Sequence, residues 1–383
     1  MDKNQKKFGI YVFLSTFSRN LIEVFIPVIL YKFGFNLTEI ILYYFLVNFI
    51  SLLLSYPYVI ISKRSNYKVL SIIGIISFIL LQIKLNFLEN SIGYLIGIAF
   101  LYASYRRGYW IARRFYNLNV IKKEKIATTY SILSIINQIG VIVSGYFGAV
   151  LLDLVSLKVV TVIAIILFFI SIIPLWKIDC EKIKENNRIE FKKYFKQIPK
   201  SNLYLFGTYE LLNIIKFLFP LYIFIYVKDT YQTIGIVNLI SNLAIILFTY
   251  AYGKKLDASK KNFLKLAIVL TVIIYVFKAN LASCGLFIVA FLEGVFTKMY
   301  ELSINKEFLV MSKKFEYSNY NLIYEVTQNL FRSILTLIIL IVPGLNLKNM
   351  IYITLGFMFT GVFFKFKYIG NNECNKRRED KNN

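Results

Sequence analysis

The chain has 383 residues, of which 57% are hydrophobic and 17% are charged, and its formal net charge is +24. Soluble domains carry about 25% charged residues, so this composition argues against a water-soluble enzyme, and its hydrophobicity excludes intrinsic disorder. Because the sequence has no histidine and its three cysteines are far apart, Cys/His zinc sites and Ser-His-Asp triads are excluded, and we expect neither a metal nor a cofactor.

Apolar runs of about twenty residues, the length that a helix needs to cross a membrane, follow one another along the chain. The strands of a β-barrel would be shorter and would alternate. The first run contains Arg19 and Glu23 and no cleavage site follows it, so we interpret it as an uncleaved helix. The sequence thus predicts an all-α membrane protein with twelve transmembrane helices. Their predicted spans are 8–31, 37–61, 69–88, 92–112, 127–151, 158–177, 202–227, 232–252, 263–279, 282–302, 319–342 and 349–367.

The longest polar interruption lies at the middle of the chain and divides the predicted helices into six and six. The segment from Asn20 to Pro27 in helix 1 resembles the segment from Asn213 to Pro220 in helix 7. The offset is half the chain, which indicates an internal duplication with pseudo-symmetric halves. The predicted divisions are an N-terminal six-helix bundle (1–178), a cytoplasmic central loop (179–200), a C-terminal six-helix bundle (201–368) and a cytoplasmic tail (369–383).

The basic residues are concentrated on one side of the predicted membrane. If alternate loops lie on opposite sides, most of the 45 Lys and Arg residues share one side, and each loop of the other side holds a single lysine, such as Lys278. Basic loops stay in the cytoplasm, so we predict a plasma-membrane protein with both termini cytoplasmic. The net charge then reflects orientation, and it favours membrane lipids rather than nucleic acid as the partner.

Ionisable side chains inside the predicted spans are costly in a membrane and therefore face protein or a water-filled cavity. They occur in helices 1, 4, 7, 10 and 11, whereas the centres of helices 3, 6, 9 and 12 are uncharged. Arg113 and Arg114, near the end of helix 4, are expected to extend to the cytoplasmic interface. The candidate substrate- and ion-binding residues are Arg19, Glu23, Arg106, Gln138, Glu210, Asn213, Lys216, Glu293, Glu325, Gln328 and Arg332.

Glu23 and Lys216 occupy matching positions of the two repeats, each shortly before a proline. We hypothesise that they pair with each other, or else with Arg19 and Glu210, and so hold the two halves together in one state. The alternative is that these charges only join neighbouring helices. The candidates include as many carboxylates as basic groups, so the sequence gives no sign of the substrate's charge.

Prolines and glycines of the predicted spans are expected to shape the helices. Pro27 and Pro220 can kink helices 1 and 7, because proline removes a backbone donor. Small residues let helices approach closely in a membrane. Gly140, Gly145 and Gly148 in helix 5 are therefore expected at helix contacts.

The loop after helix 8 reads Gly253-Lys-Lys-Leu-Asp257-Ala-Ser-Lys-Lys261. It resembles the Gly-x-x-x-Asp-Arg-x-Gly-Arg-Arg loop of the major facilitator superfamily, although the arginine after the aspartate and the second glycine are missing. Together with the twelve spans and the half-chain repeat, the whole chain looks like a bacterial major facilitator transporter. The resemblance implies two six-helix bundles around a central cavity. It also implies that Gly253, Asp257 and Lys261 steady the outward-facing state.

No Gly-x-x-x-x-Gly-Lys-[Ser/Thr] loop is present, which argues against ATP-driven transport by this chain alone. We therefore expect a monomeric secondary active transporter that moves a small solute by alternating access. Without histidine, coupling to protons would use the carboxylates, and transport without coupling is the other option. Two further alternatives are a non-transporting receptor or scaffold of the same fold and a polytopic lipid-modifying enzyme, against which the short outer loops argue.

Overall fold

The structure, a computed structural model of the chain, describes residues 3–64, 67–87, 89–120, 126–178, 190–258, 264–280, 285–312, 317–342 and 344–360. Within these ranges the backbone is helical apart from short turns and connections, and it contains no strand. The prediction of an all-helical protein is therefore confirmed.

The helices of the N-terminal half, residues 3–178, include one interrupted pair at the start of the chain. A short 3-10 helix, Glu23–Phe25, lies between the first two α-helices. The α-helices are α1 (Lys3–Asn20), α2 (Ile26–Lys32), α3 (Leu37–Arg64), α4 (Tyr67–Lys84), α5 (Ile92–Val120), α6 (Ile126–Leu154) and α7 (Leu157–Trp176).

The helices of the C-terminal half, residues 190–360, begin with a short helix inside the predicted central loop. The α-helices are α8 (Phe191–Gln197), α9 (Lys200–Glu210), α10 (Leu212–Tyr226), α11 (Tyr231–Ala258), α12 (Leu264–Asn280), α13 (Leu286–Ser312), α14 (Tyr317–Ile341) and α15 (347–360).

Eight segments of the described residues are long and apolar enough to cross a membrane. A shorter apolar helix covers Leu266–Asn280, and the predicted spans in α5 and α13 carry several charged residues. These segments are those of a multi-pass membrane protein. The eight are Lys3–Lys32, Leu37–Ser62, Tyr67–Lys84, Ile132–Leu154, Leu157–Trp176, Lys200–Tyr226, Tyr231–Thr249 and Ser318–Ile341.

Helices pack both within each half of the chain and between the halves. In the N-terminal half, α5 packs on α3 and α4, and α1 packs on α6 and α7. In the C-terminal half, α13 packs on α11 and α12, and α9 packs on α14. The largest contacts between the halves are those of α6 with α11 and of α3 with α14. Side chains on these four helices are therefore placed to join the two halves.

The glycines of α6 differ in how closely other backbone approaches them. A Cβ at Gly148 would lie 2.5 Å from the Leu21 carbonyl oxygen, and one at Gly140 would lie 3.3 Å from that of Phe13. A Cβ at Gly145 would meet nothing within 4 Å. The expectation of helix contacts thus holds for Gly148 and Gly140. Gly145 also lies at a helix contact, since its carbonyl oxygen would be 3.4 Å from a Cβ at Gly235 of α11, but its own Cβ would have free space.

Two membrane segments contain a local interruption of the α-helix, although each runs through as one span. In the first, α1 ends at Asn20, and the Ile22 N–H donates a hydrogen bond of 3.3 Å to the Arg19 carbonyl oxygen. Pro27 then lies in the first turn of α2, where its missing N–H costs nothing. In the second, α9 ends at Glu210 and α10 begins at Leu212. Pro220 lies within α10, so this interruption occurs well before the proline that we expected to cause it.

The predicted loop motif falls on a helix end. The span expected to end at residue 252 continues as α11 to Ala258, so Gly253 and Asp257 lie on helical backbone rather than in a loop. The third residue of the motif, Lys261, lies outside the described residues. The role that the resemblance implies for these residues stays a prediction.

Candidate functional site

Glu23 lies at the interruption between α1 and α2, where two side chains hold its carboxylate. Arg19 Nε lies 2.7 Å from Glu23 Oε2, and the Tyr102 hydroxyl of α5 donates a hydrogen bond of 2.6 Å to Glu23 Oε1. Of the two pairings that we considered, the structure therefore has the one with Arg19. Lys216 is exposed and forms no ion pair with a described residue.

Aromatic side chains of α5 surround the Arg19 guanidinium. Arg19 Nη1 donates to the Tyr105 hydroxyl at 3.2 Å. The guanidinium carbon also lies 5.3 Å from the centre of the Tyr109 ring and 5.7 Å from that of Trp110. Ring faces attract cations within about 6 Å, so Arg19 is stabilised by its surroundings as well as by Glu23.

Glu210 is the last residue of α9, at the second interruption. Its carboxylate contacts three of the predicted site residues. Gln328 Nε2 of α14 donates to Glu210 Oε1 at 2.8 Å, and the Asn213 amide donates to the other carboxylate oxygen. Arg332 Nη2 lies 3.6 Å from Glu210 Oε2, and only 1% of Arg332 is exposed. Candidate residues from predicted helices 7 and 11 therefore meet around one carboxylate.

Glu325 joins the two halves of the chain. It lies on α14, it is fully buried, and it forms ion pairs with both Arg107 and Arg114 of α5. The expectation that Arg114 extends to the cytoplasmic interface is wrong, because its guanidinium is held by this carboxylate. One buried carboxylate thus faces two guanidinium groups from the other half.

The remaining arginines of α5 make hydrogen bonds rather than ion pairs. Half-buried Arg106 donates from Nη1 to Asn48 Oδ1 at 3.1 Å. Arg113 donates to the Tyr109 hydroxyl at 3.0 Å and to Asn137 Oδ1 at 2.9 Å. Arg113 therefore also stays among the helices instead of extending to the interface.

Polar contacts connect α6 with the C-terminal half. The Gln138 amide donates to Asn242 Oδ1 of α11. Lys298 Nζ of α13 donates to the Ser134 hydroxyl at 3.3 Å and pairs with Glu301 at 2.8 Å. Ser134 and Gln138 of α6 thus lie between the halves.

Glu293 forms a separate cluster inside the C-terminal half. Lys278 Nζ pairs with Glu293 Oε2, and the Tyr275 hydroxyl donates to Oε1 at 2.6 Å. Lys278 Nζ also lies 3.5 Å from the centre of the Phe219 ring. Our assignment of Lys278 to an outer loop is wrong: it belongs to α12 and is only 4% exposed.

Removing one partner of this cluster is expected to cost more than removing both. Lys278→Met or Glu293→Gln alone leaves a buried charge unpaired, and each should lower stability by about 3–5 kcal/mol. The double variant leaves neither charge and should recover most of that loss. The measurement is the temperature at which purified protein loses its monodisperse elution in size-exclusion chromatography. Equal melting of both single variants and wild type would contradict the pairing.

Sequence reasoning missed several residues of these clusters. Lys278 lies close to the end of its helix, where a lysine usually extends to the interface. Lys298 and Glu301 are three apart, a spacing that places them on one helix face and could have been noticed. The partner role of Asn242 depends on how α6 and α11 pack, and no signal in a single sequence gives it.

The described residues contain no group of three or more Cys, Asp or Glu side chains that could hold a metal ion. The fold and its buried charges define a multi-pass helical membrane protein. A family model described as Major Facilitator Superfamily matches residues 8–307. The chain therefore belongs to the major facilitator superfamily, whose members are membrane transporters, and the predicted resemblance is confirmed. A comparison with curated proteins gives no match.

Proposed function

We propose that the protein is a secondary active transporter that moves a small solute across the plasma membrane by alternating access. The observation that carries the proposal is the pair of interrupted segments, with Glu23 at one interruption and Glu210 at the other. Transporter sites commonly form where membrane helices are discontinuous, because the helix ends leave polar groups inside the membrane.

The proposed layout is twelve spans in two six-helix bundles, with both termini in the cytoplasm. The contacts of α6 with α11 and of α3 with α14 would then form the boundary between the bundles. The polar contacts between the halves, above all that of Glu325 with Arg107 and Arg114, would break when the bundles move apart. Paired charges that separate in one state bias the protein toward the other state.

Proton coupling through Glu23 or Glu210 is part of the proposal. Each carboxylate faces an arginine and accepts a hydrogen bond from a neutral side chain, Tyr102 in one case and Gln328 in the other. A proton on the carboxylate would weaken its hold on the arginine. The arginine released in this way would be free to take another partner, which would link proton binding to transport.

The test is uptake of isotope-labelled solutes by proteoliposomes, with and without a proton gradient. The solutes offered are those whose cellular pools change when the gene is removed. We expect wild type to accumulate at least one solute, and Glu23→Gln or Glu210→Gln to reduce uptake about tenfold, the effect of losing a charge-assisted hydrogen bond.

The control for these variants is Glu89→Gln, which removes an exposed carboxylate outside the helices and should transport like wild type. Absence of flux for every solute, with a protein partner recovered alongside the transporter, would overturn the proposal in favour of a receptor or scaffold. Uptake by Glu23→Gln and Glu210→Gln at the wild-type rate would remove both carboxylates from the transport site.

A further inference from the structure

Cations outnumber carboxylates among the charges that the structure places within the membrane helices. The carboxylates Glu23, Glu210, Glu293, Glu301 and Glu325 are all ion-paired, using Arg19, Arg332, Lys278, Lys298, Arg107 and Arg114. Arg106, Arg113 and Lys216 remain without an ion pair to any described residue. The sequence suggested equal numbers of basic and acidic groups among the candidates, whereas the net charge inside the helices of the structure is positive.

Unpaired cations inside a membrane protein need compensation from water, polar groups or a counter-ion. Arg113 has such compensation, since it donates to Tyr109 and Asn137 and lies over two aromatic rings. Arg106 has a single hydrogen bond to a described residue, to Asn48. Lys216 has none. The excess charge is thus concentrated on Arg106 and Lys216.

Arg106 and Lys216 come from different halves of the chain to the same region. The charges of both act on Glu210. Phe217, next to Lys216, stacks on Tyr44 with ring centres 4.2 Å apart. Asn48, which accepts the hydrogen bond of Arg106, itself donates to the Tyr44 carbonyl oxygen at 2.8 Å. Both cations are also accessible, since Lys216 is exposed and Arg106 is only half-buried.

Glu210 lies beside these cations and attracts both of them, but it forms a direct ion pair with neither. Its two carboxylate oxygens already accept hydrogen bonds from Asn213 and Gln328. It also faces Arg332. One carboxylate therefore faces Arg332, Arg106 and Lys216 together, so the region keeps an excess of positive charge that an anion could compensate.

We propose that the transported solute is a small anion, a carboxylate or a phosphate, bound between Arg106 and Lys216. The planar guanidinium of Arg106 suits two oxygens of such a group, and the Lys216 ammonium supplies a second charge. This inference rests on the proposed transport function and names its substrate class. A bound anion would link α5 with α10 and so act on both halves at once.

The test offers proteoliposomes a defined mixture with equal numbers of anionic, cationic and neutral metabolites, and identifies the retained solutes by mass spectrometry. In parallel, the melting temperature of the purified protein is measured with each of the three classes at equal ionic strength. We expect wild type to retain anions and to be stabilised by the anionic mixture alone.

Variants separate the proposed site from general electrostatics. Lys216→Gln and Arg106→Gln should each lower anion retention about tenfold, because a charge-assisted hydrogen bond is lost. Lys216→Arg keeps the charge and should retain most activity, which excludes misfolding as the cause. Lys228→Gln removes the same charge from an exposed position after α10 and should behave like wild type.

Each outcome decides between the two proposals. Retention of a cation or a neutral solute would overturn the anion site while leaving transport in place, and so would wild-type anion retention by Lys216→Gln and Arg106→Gln. No retained solute, with anions still stabilising wild type but not Lys216→Gln, would overturn transport and support the anion site. Neither retention nor stabilisation by anions would overturn both.

Discussion

Replacing Glu325 with glutamine is expected to lower the free energy of unfolding by about 3–5 kcal/mol. Glu325 is the carboxylate that faces Arg107 and Arg114, and it is fully buried. Glutamine keeps the shape of the side chain but leaves two guanidinium groups without a negative charge. In a membrane this arrangement is costly, because water is not present to solvate them.

The measurement is thermal loss of monodisperse protein in size-exclusion chromatography, with Glu190→Gln as the matched control. Glu190 pairs with Lys193 on an exposed surface, and removing such a pair changes stability by less than about 1 kcal/mol. The triple variant Glu325→Gln, Arg107→Gln, Arg114→Gln should regain much of the loss, because no buried charge remains. If Glu325→Gln melts together with Glu190→Gln, the buried ion pairs do not stabilise the fold.

Because Glu325 joins the two halves of the chain, its ion pairs also bear on the proposed transport cycle. Arg107 and Arg114 belong to α5 in the N-terminal half, and Glu325 belongs to α14 in the C-terminal half. Under the proposed alternating access, the pairs would hold the halves together and their breaking would be one cost of the transition. These ion pairs change the populations of the two states only if they are formed in one state and broken in the other.

Contacts within one helix could be predicted from the sequence, whereas most contacts between helices could not. Arg19 and Glu23 are four apart, and that spacing places them on one face of a helix, where the structure pairs them. The pairing of Glu325 with Arg107 depends on how α5 and α14 are rotated about their axes. The polar residues of α14 show which of its faces is turned inward, but a single sequence does not show which helix that face meets.

The burial of two lysines was also not predicted from the sequence. Lys278 and Lys298 both lie near predicted span ends, and a long flexible side chain can reach the interface from there. The structure instead buries both, because Glu293 and Glu301 lie within reach. Counting charge by loop therefore concealed the positive balance among the helices, and the membrane topology that it predicts stays a prediction.

A single added methyl group at Gly148 is expected to destabilise the protein, whereas the same change at Gly145 is expected to stabilise it. The Cβ of Gly148→Ala would lie 2.5 Å from the Leu21 carbonyl oxygen and 2.9 Å from its Cα. Both are backbone atoms at the interruption after α1, so they cannot rotate away as a side chain would. Such overpacking costs about 1–3 kcal/mol. Gly145→Ala meets nothing within 4 Å and should gain about 0.5–1 kcal/mol from the helix preference of alanine.

The opposite signs make the comparison informative, because the two glycines lie one helical turn apart on α6 and receive the same substitution. Thermal loss of monodisperse protein should place Gly148→Ala below wild type and Gly145→Ala at or above it. Since Leu21 precedes Glu23 by two residues, displacement of this backbone should also disturb the Glu23 contacts with Arg19 and Tyr102. Solute uptake should therefore fall in Gly148→Ala and persist in Gly145→Ala. Equal melting of the two variants would mean that α6 does not pack tightly against the interruption, and the rigid placement of Glu23 would lose its basis.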